Sequence, residues 1–303
     1  MKEDIHRYAK LGLVHHMLYG KELADPKKHA ATLIEFFQRD DIETFDCCLP
    51  YPERMRQQIV DAIENSNKTD ICFATHLFPL RKLSFASKNI SEQAQIRLIV
   101  KEMIDQAALI GATGFIFASG GPDPANADND NYRSFANFCT WLCAELKPHG
   151  ITALLEPFDM TVDKKFLYGP TKKCVELIRG LEPEINNLGI ELDMAHIPLM
   201  GETFEHAIRT TAPYLKRVHL GNCVFKDKAN PLYGDLHPPI GFPGGEIDIE
   251  ETAEILSCLL NVDFLNPDNR GNLIIEMTTW PGKTVEETIA DNFNRLNKAW
   301  EMV

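Results

Sequence analysis

Apolar and polar positions alternate along the 303-residue chain in one repeated rhythm. A short, nearly continuous apolar run is followed by a longer stretch in which apolar residues recur every three or four positions, the mark of a helix with one buried face. In the first half, "LGLVHHMLY" (11–19), "IETFDCCLP" (42–50), "DICFATHLF" (70–78) and "GFIFASGG" (114–121) read as strands, and residues 28–39, 52–65, 91–111 and 131–147 as the helices after them. The second half repeats the pattern. "ITALLEPF" (151–158), "LGIELDMAH" (188–196), "LKRVHLGN" (215–222) and "NLIIEMTT" (272–279) are the next strands, with helices over about 170–180, 202–213, 249–260 and 283–300. The strands are too apolar to keep one face in water, as expected of a parallel sheet covered on both sides. Eight strand–helix units in regular order predict an α/β fold in which residues 1–303 form one closed (β/α)8 TIM barrel. An open doubly wound sheet is the rival, but the first turn, "LVHHMLYGKELADP", lacks the G-x-G-x-x-G such a sheet uses for nucleotides.

Composition narrows the function. An apolar fraction of 44% and a charged fraction of 25% are ordinary for a globular protein. A net charge of −13 argues against nucleic acid as a partner, because phosphate-backbone binders carry a basic stripe. No run approaches the roughly 20 apolar residues of a membrane span, and "MKEDIHRYAK" has no signal-peptide core, so a cytoplasmic location is expected. The eight cysteines form no C-x-x-C pair and read as reduced, mostly buried thiols.

Chemistry concentrates where strands end. Strand five finishes on Glu156, strand six on Asp193, strand seven on His219 and strand eight on Glu276. A lone acid after an apolar run is most simply the first exposed residue of a loop. Four consecutive strands of one barrel ending this way deliver two glutamates, an aspartate and an imidazole to the same rim. Neighbouring strands lie about 4.8 Å apart, so side chains at one level can converge on a single ion. A carboxylate-rich set with one imidazole suits Mn²⁺ first, with Co²⁺, Mg²⁺ or Zn²⁺ as alternatives. His76 ends strand three and would point into the same rim. His15 and His16, adjacent in strand one, face opposite sides, and neither is assigned a role. Asp159 and Trp280 lie just past site strands, where they could line a pocket. The long segment after strand seven, "CVFKDKANPLYGDLHPPIGFPGGEID", would sit on the catalytic face, and its "GFPGGEID" cluster reads as turn chemistry.

The series "LLEPFD", "LDMAH", "VHLGN" and "IIEMT" resembles the xylose-isomerase-like barrels, which include ketose 3-epimerases, hydroxypyruvate isomerases, inosose dehydratases and endonuclease IV. The resemblance covers the whole chain in strand order. It implies that Glu156, Asp193, His219 and Glu276 bind one divalent ion, and that Glu156 and Glu276 are also the catalytic acid and base. It further implies that His196, in a D-x-x-H pattern with Asp193, binds substrate. The implied function is a metal-dependent isomerase or epimerase moving a proton on a keto-sugar through an enediolate stabilised by the ion. A lyase or dehydratase acting on an inosose or 3-keto-glycoside would use the same enolisation.

Two departures bear on substrate. Ketose epimerases carry an arginine soon after the strand-seven histidine, whereas here Cys223, Val224 and Phe225 precede Lys226, the candidate substrate-binding cation. The loop also holds Asp235 and His237 in "GDLHPP", which match a D-x-H ligand pair of endonuclease IV, as His76 and His196 match other ligand positions of that enzyme. Strand four ends with Ser119 where the nuclease has histidine, and no basic and aromatic cluster for damaged DNA is evident; several sugar-acting members of the family also keep an acidic and histidine-bearing loop at this place, so the resemblance implies Asp235, His237, His76 and His196 as substrate-binding candidates. An endonuclease IV-like DNA-repair nuclease and a non-catalytic, carbohydrate-binding barrel subunit are the remaining alternatives. The expected partners are a small carbohydrate and a second copy of the chain, with a hetero-oligomer as the alternative.

Overall fold

A computed structural model of the chain describes residues 3–75 and 83–303. Eight strands close into a barrel in sequence order: β1 (Ala9–Val14), β2 (Thr44–Cys47), β3 (Cys72–Ala74), β4 (Gly114–Phe117), β5 (Thr152–Leu155), β6 (Leu188–Asp193), β7 (Leu215–Leu220) and β8 (Gly271–Ile275). Every neighbouring pair is parallel, and β1 closes on β8 through Ala9↔Gly271 to Leu13↔Ile275. The covering helices are α1 (Pro26–Phe37), α2 (Arg56–Glu64), α3 (Ile90–Leu109), α4 (Asn129–Leu146), α5 (Thr171–Leu181), α6 (Phe204–Thr211), α7 (Ile249–Asn261) and α8 (Val285–Met302). Among the described residues, no helix is long and apolar enough to cross a membrane.

The predicted strands form because both of their faces find apolar neighbours. β2 and β6 are buried along their whole length, and ring contacts such as Phe37 on Phe45 (4.7 Å between centroids) tie helix to strand. Helix starts follow capping chemistry. The side chains of Asp25, Asn89, Asp128, Asp248 and Thr284 accept backbone N–H bonds from the first turns of α1, α3, α4, α7 and α8.

The first strand is shorter than the pattern predicted. Its ladder ends at Val14↔Asp46 and Leu13↔Ile275; beyond that the chain turns into a short helix, His15–Leu18. His15 is therefore a core residue outside the barrel, its Nε2 3.0 Å from Thr32 Oγ1 and its ring stacked on His29 at 5.5 Å. Burial pushes its pKa well below the usual histidine value, so it is neutral. The helices predicted over 52–65 and 202–213 are trimmed at their starts: the first begins as a 3-10 turn, Glu53–Met55, and the second at its Thr203 cap.

Candidate active site

The site forms at the carboxyl ends of β5 to β8. Asp193 and His219 are directly paired in the β6–β7 ladder, and His219 is paired with Ile274, two residues before Glu276. One ligand atom each from Asp193, His219 and Glu276 lies within 4.8 Å of the others, and all three residues are buried. His219 Nδ1 is 2.6 Å from Glu276 Oε2. Asp193 Oδ1 accepts the Ala195 N–H at 2.7 Å, while its Oδ2 is buried with no hydrogen-bond partner. Glu156, the residue after β5, stands beside this trio, its Oε1 3.6 Å from His196 Nδ1.

His196, Asp235 and His237 pack against the same aspartate. Asp193 Oδ2 lies 3.7 Å from His196 Nε2 and 3.6 Å from His237 Nδ1. Asp235 Oδ1 is 3.2 Å from His196 Nε2 and 2.8 Å from His237 Nε2. Lys164, from the loop after β5, reaches across to Asp235 Oδ2 at 3.1 Å and donates to its carbonyl at 2.9 Å. His196 is held from behind: Nδ1 sits 2.9 Å from the Pro157 carbonyl and the ring rests on Phe158 at 4.1 Å. His237 has a left-handed backbone, φ 46°, and its carbonyl accepts from the Thr278 N–H (2.8 Å) and Oγ1 (3.0 Å), which fastens the β7 loop to the end of β8. Gly221 is required by this crowding, because a Cβ there would fall against Asp193 Oδ1 and 2.9 Å from His237 Nδ1.

The two glutamates are driven apart in acidity. Burial, reinforced by the charges of Glu276 and Asp193, pushes Glu156 up to about 8 despite the nearby histidines. Burial acts the same way on Glu276, but His237 and His219 outweigh it and hold that carboxyl well below the usual range. The two carboxyls thus differ in acidity, a separation set by environment. Burial also pushes Asp193 up to about 6.

The structure therefore gathers Glu156, Asp193, His219, Glu276, His196, Asp235 and His237 in one place. Lys226 does not join them: 83% of its side chain is exposed and its Nζ pairs with Glu246 at 2.7 Å. The same glutamate accepts the Phe225 and Lys226 N–H groups, which turns this segment outward. His76 lies outside the described residues. Asp159 is a scaffold of the β5 loop, accepting N–H bonds from Thr161, Val162, Asp163 and Lys164. Trp280 packs at 5.8 Å from Phe242, with the Lys283 ammonium 4.5 Å over its ring.

Three buried charged residues around His219 went unassigned in the sequence. Asp46 on β2 lies 2.6 Å from His219 Nε2 and pairs with Arg217, and Glu191 on β6 lies 3.4 Å from His219 Nδ1. A signal for two of them exists. Glu191 and Arg217 sit two positions before Asp193 and His219, so strand periodicity puts them on the same inward face.

A divalent ion suits this donor set. Buried oxygens without a hydrogen-bond partner include Asp193 Oδ2 and both oxygens of Glu191, beside an imidazole and a second carboxylate. Carboxylates buried together in this way need a compensating cation. A second group, Asp193, His196 and His237, also meets the spacing of a metal site.

The closed parallel barrel gathers its acids and an imidazole at the carboxyl ends of the strands, the face on which barrels of this fold carry their functional groups. The chain belongs to the xylose isomerase-like TIM barrel family, whose model matches residues 23–296. Among solved structures it is similar to a D-psicose 3-epimerase crystallised with D-fructose (TM-score 0.69, 14% identity, covering 97% of each chain). It is also similar to the 3-keto-D-glucoside 4-epimerase of E. coli (TM-score 0.65, 11% identity, 95% of this chain and 99% of that one). A family 2 AP endonuclease from Brucella melitensis aligns as well (TM-score 0.65, 16% identity, 93% and 97%). No curated protein sequence matches the chain.

Proposed function

We propose that this protein is a metal-dependent isomerase or epimerase that moves a proton on the carbon next to a sugar carbonyl. The observation that carries the reading is the buried trio Asp193, His219 and Glu276 with Glu156 beside it, two of its glutamates having opposite acidities. The similarity to epimerases of free and glycosidic keto-sugars supports carbohydrate as the substrate class. Asp193, His219, Glu276 and Glu156 would hold one divalent ion, Mn²⁺ in the first instance. Bound there, such an ion polarises a substrate carbonyl and its neighbouring hydroxyl.

The chain's own residues do the rest. Glu276, ionised, takes the proton from the activated carbon, and Glu156, protonated, returns one. Delivery to the opposite face epimerises the carbon; delivery to the neighbouring carbon isomerises the sugar. Expulsion of a β-substituent from the same enediolate is the lyase outcome. His196, His237 and Asp235 bind substrate hydroxyls, and Lys164 holds Asp235 in place.

Incubating metal-loaded protein with ketoses, inososes and 3-keto-glycosides in D₂O should place deuterium on the carbon next to the carbonyl. Glu156→Gln and Glu276→Gln should each reduce exchange by about 10² or more. Exchange that survives both substitutions would overturn the assignment.

A second reading rests on the cluster Asp193, His196, His237 with Asp235. If it holds a further ion, the hydrolytic chemistry of a multi-metal nuclease comes forward, a direction the AP endonuclease likeness supports. Elemental analysis distinguishes the two: about one divalent ion per chain favours the epimerase reading, two or three favour the nuclease.

A further inference from the structure

The interior of the barrel below the rim is charged, and one of its chains of contacts leads to His219 from the side away from the other acids. Both ring nitrogens of His219 are engaged. Nδ1 faces Glu276 at 2.6 Å and Glu191 at 3.4 Å; Nε2 faces Asp46 Oδ2 at 2.6 Å. Asp46 comes from β2 and His219 from β7, strands far apart around the barrel wall, so this contact crosses the interior. Asp46 is fully buried and does not stand alone. It pairs with the Arg217 guanidinium, which in turn donates to Thr44 Oγ1 at 2.8 Å and to the Asp70 carbonyl at 3.1 Å. The carboxylate is thus fixed on one side by a planar, permanently charged donor and aimed on the other at a single nitrogen.

We propose that Asp46, anchored by Arg217, is a positioning residue that accepts the His219 Nε2–H, fixing the ring tautomer and orientation so that Nδ1 presents its lone pair to a divalent cation beside Asp193 and Glu276. The inference rests on the reading of His219 as a ligand given above. Its physical basis is that a ligating imidazole has one nitrogen free for the ion and one N–H to dispose of, and a carboxylate accepting that N–H both fixes which nitrogen ligates and strengthens it as a donor. Arg217 makes the arrangement specific to a carboxylate at 46. An asparagine could present its oxygen to Nε2–H only by turning its own N–H₂ toward the guanidinium, donor against donor.

The test compares wild type with Asp46→Asn by equilibrium dialysis against Mn²⁺, with folding checked by circular dichroism. Wild type should hold about one ion, and the variant should bind it about 10- to 100-fold more weakly. Equal affinity in a folded variant overturns the role of Asp46 and leaves the metal reading standing; no Mn²⁺ uptake by wild type overturns both. A second measurement holds even if the variant does not fold. In Zn²⁺-loaded wild type with ¹⁵N-labelled histidine, the His219 proton should reside on Nε2, and a proton on Nδ1 overturns the proposal.

Discussion

Single residues at this rim do different work although they sit within a few ångströms of one another. Asp193 serves both clusters: its Oδ1 is committed to the Ala195 N–H, and its Oδ2 lies between His196 and His237. His196 contacts Asp193 but is held by the Pro157 carbonyl and Phe158, a placement suited to gripping substrate. His219→Ala and Asp193→Ala should therefore strip the ion in elemental analysis. His196→Ala should keep it and raise KM roughly 10-fold or more, the effect of losing one hydrogen bond to a polar substrate group. If His196→Ala empties the site, the one-ion reading is wrong.

At the level of elements, the loops after β5 and β7 act as a pair. Asp159 binds four successive backbone N–H groups, which shapes the β5 loop and places Lys164 to bridge to Asp235. Asp159→Ala leaves those N–H groups without their acceptor, and a bond to a charged acceptor contributes about 1.5–3 kcal/mol. Denaturant unfolding should show a loss of roughly 2 kcal/mol. Because the ligands at the strand ends are untouched, metal content should be kept while KM rises. A variant that loses its metal instead would place the β5 loop within the ligand framework.

Across the whole molecule, the raised groups of the site make stability fall as pH rises from near neutral into the alkaline range. Burial alone would lower the histidine values, but the charge of Asp235 outweighs it and raises His237 to about 9 and His196 well above its usual value. Glu156 is raised to about 8 and Asp193 to about 6, chiefly by burial. Each of these groups binds its proton more tightly folded than unfolded, where values near 4 for the acids and 6.5 for histidine apply. The stability they contribute is complete below those unfolded values and is lost as pH rises through the folded ones. Chelated protein should therefore lose stability between about pH 6 and 9. An ion displaces the protons of Asp193 and His219 while Glu156 keeps its own, so metal-loaded protein should resist part of this loss and metal binding should release protons, measurable by calorimetry in buffers of different ionisation enthalpy. A chelated sample equally stable at pH 6 and 9 would contradict this account of the site.

The eight strands and eight covering helices were legible in the sequence because parallel strands buried on both faces read as unbroken apolar runs, and helices with one wet face keep a period near 3.6. The end of such a run marks the carboxyl-end rim of the barrel, so position alone picked out Glu156, Asp193, His219 and Glu276, which lie close together there. His15 escaped because a strand lasts only as long as its neighbours supply ladder partners, and the pairing of β1 with β2 and β8 stops at Val14 and Leu13. Lys226 pointed elsewhere because Glu246, twenty positions on, captures its backbone and its ammonium together. Asp46 beneath His219 was invisible for a deeper reason. Periodicity tells which residues face inward along one strand, but which inward residues meet across the interior is decided only when the barrel closes and its tilt and stagger bring β2 opposite β7.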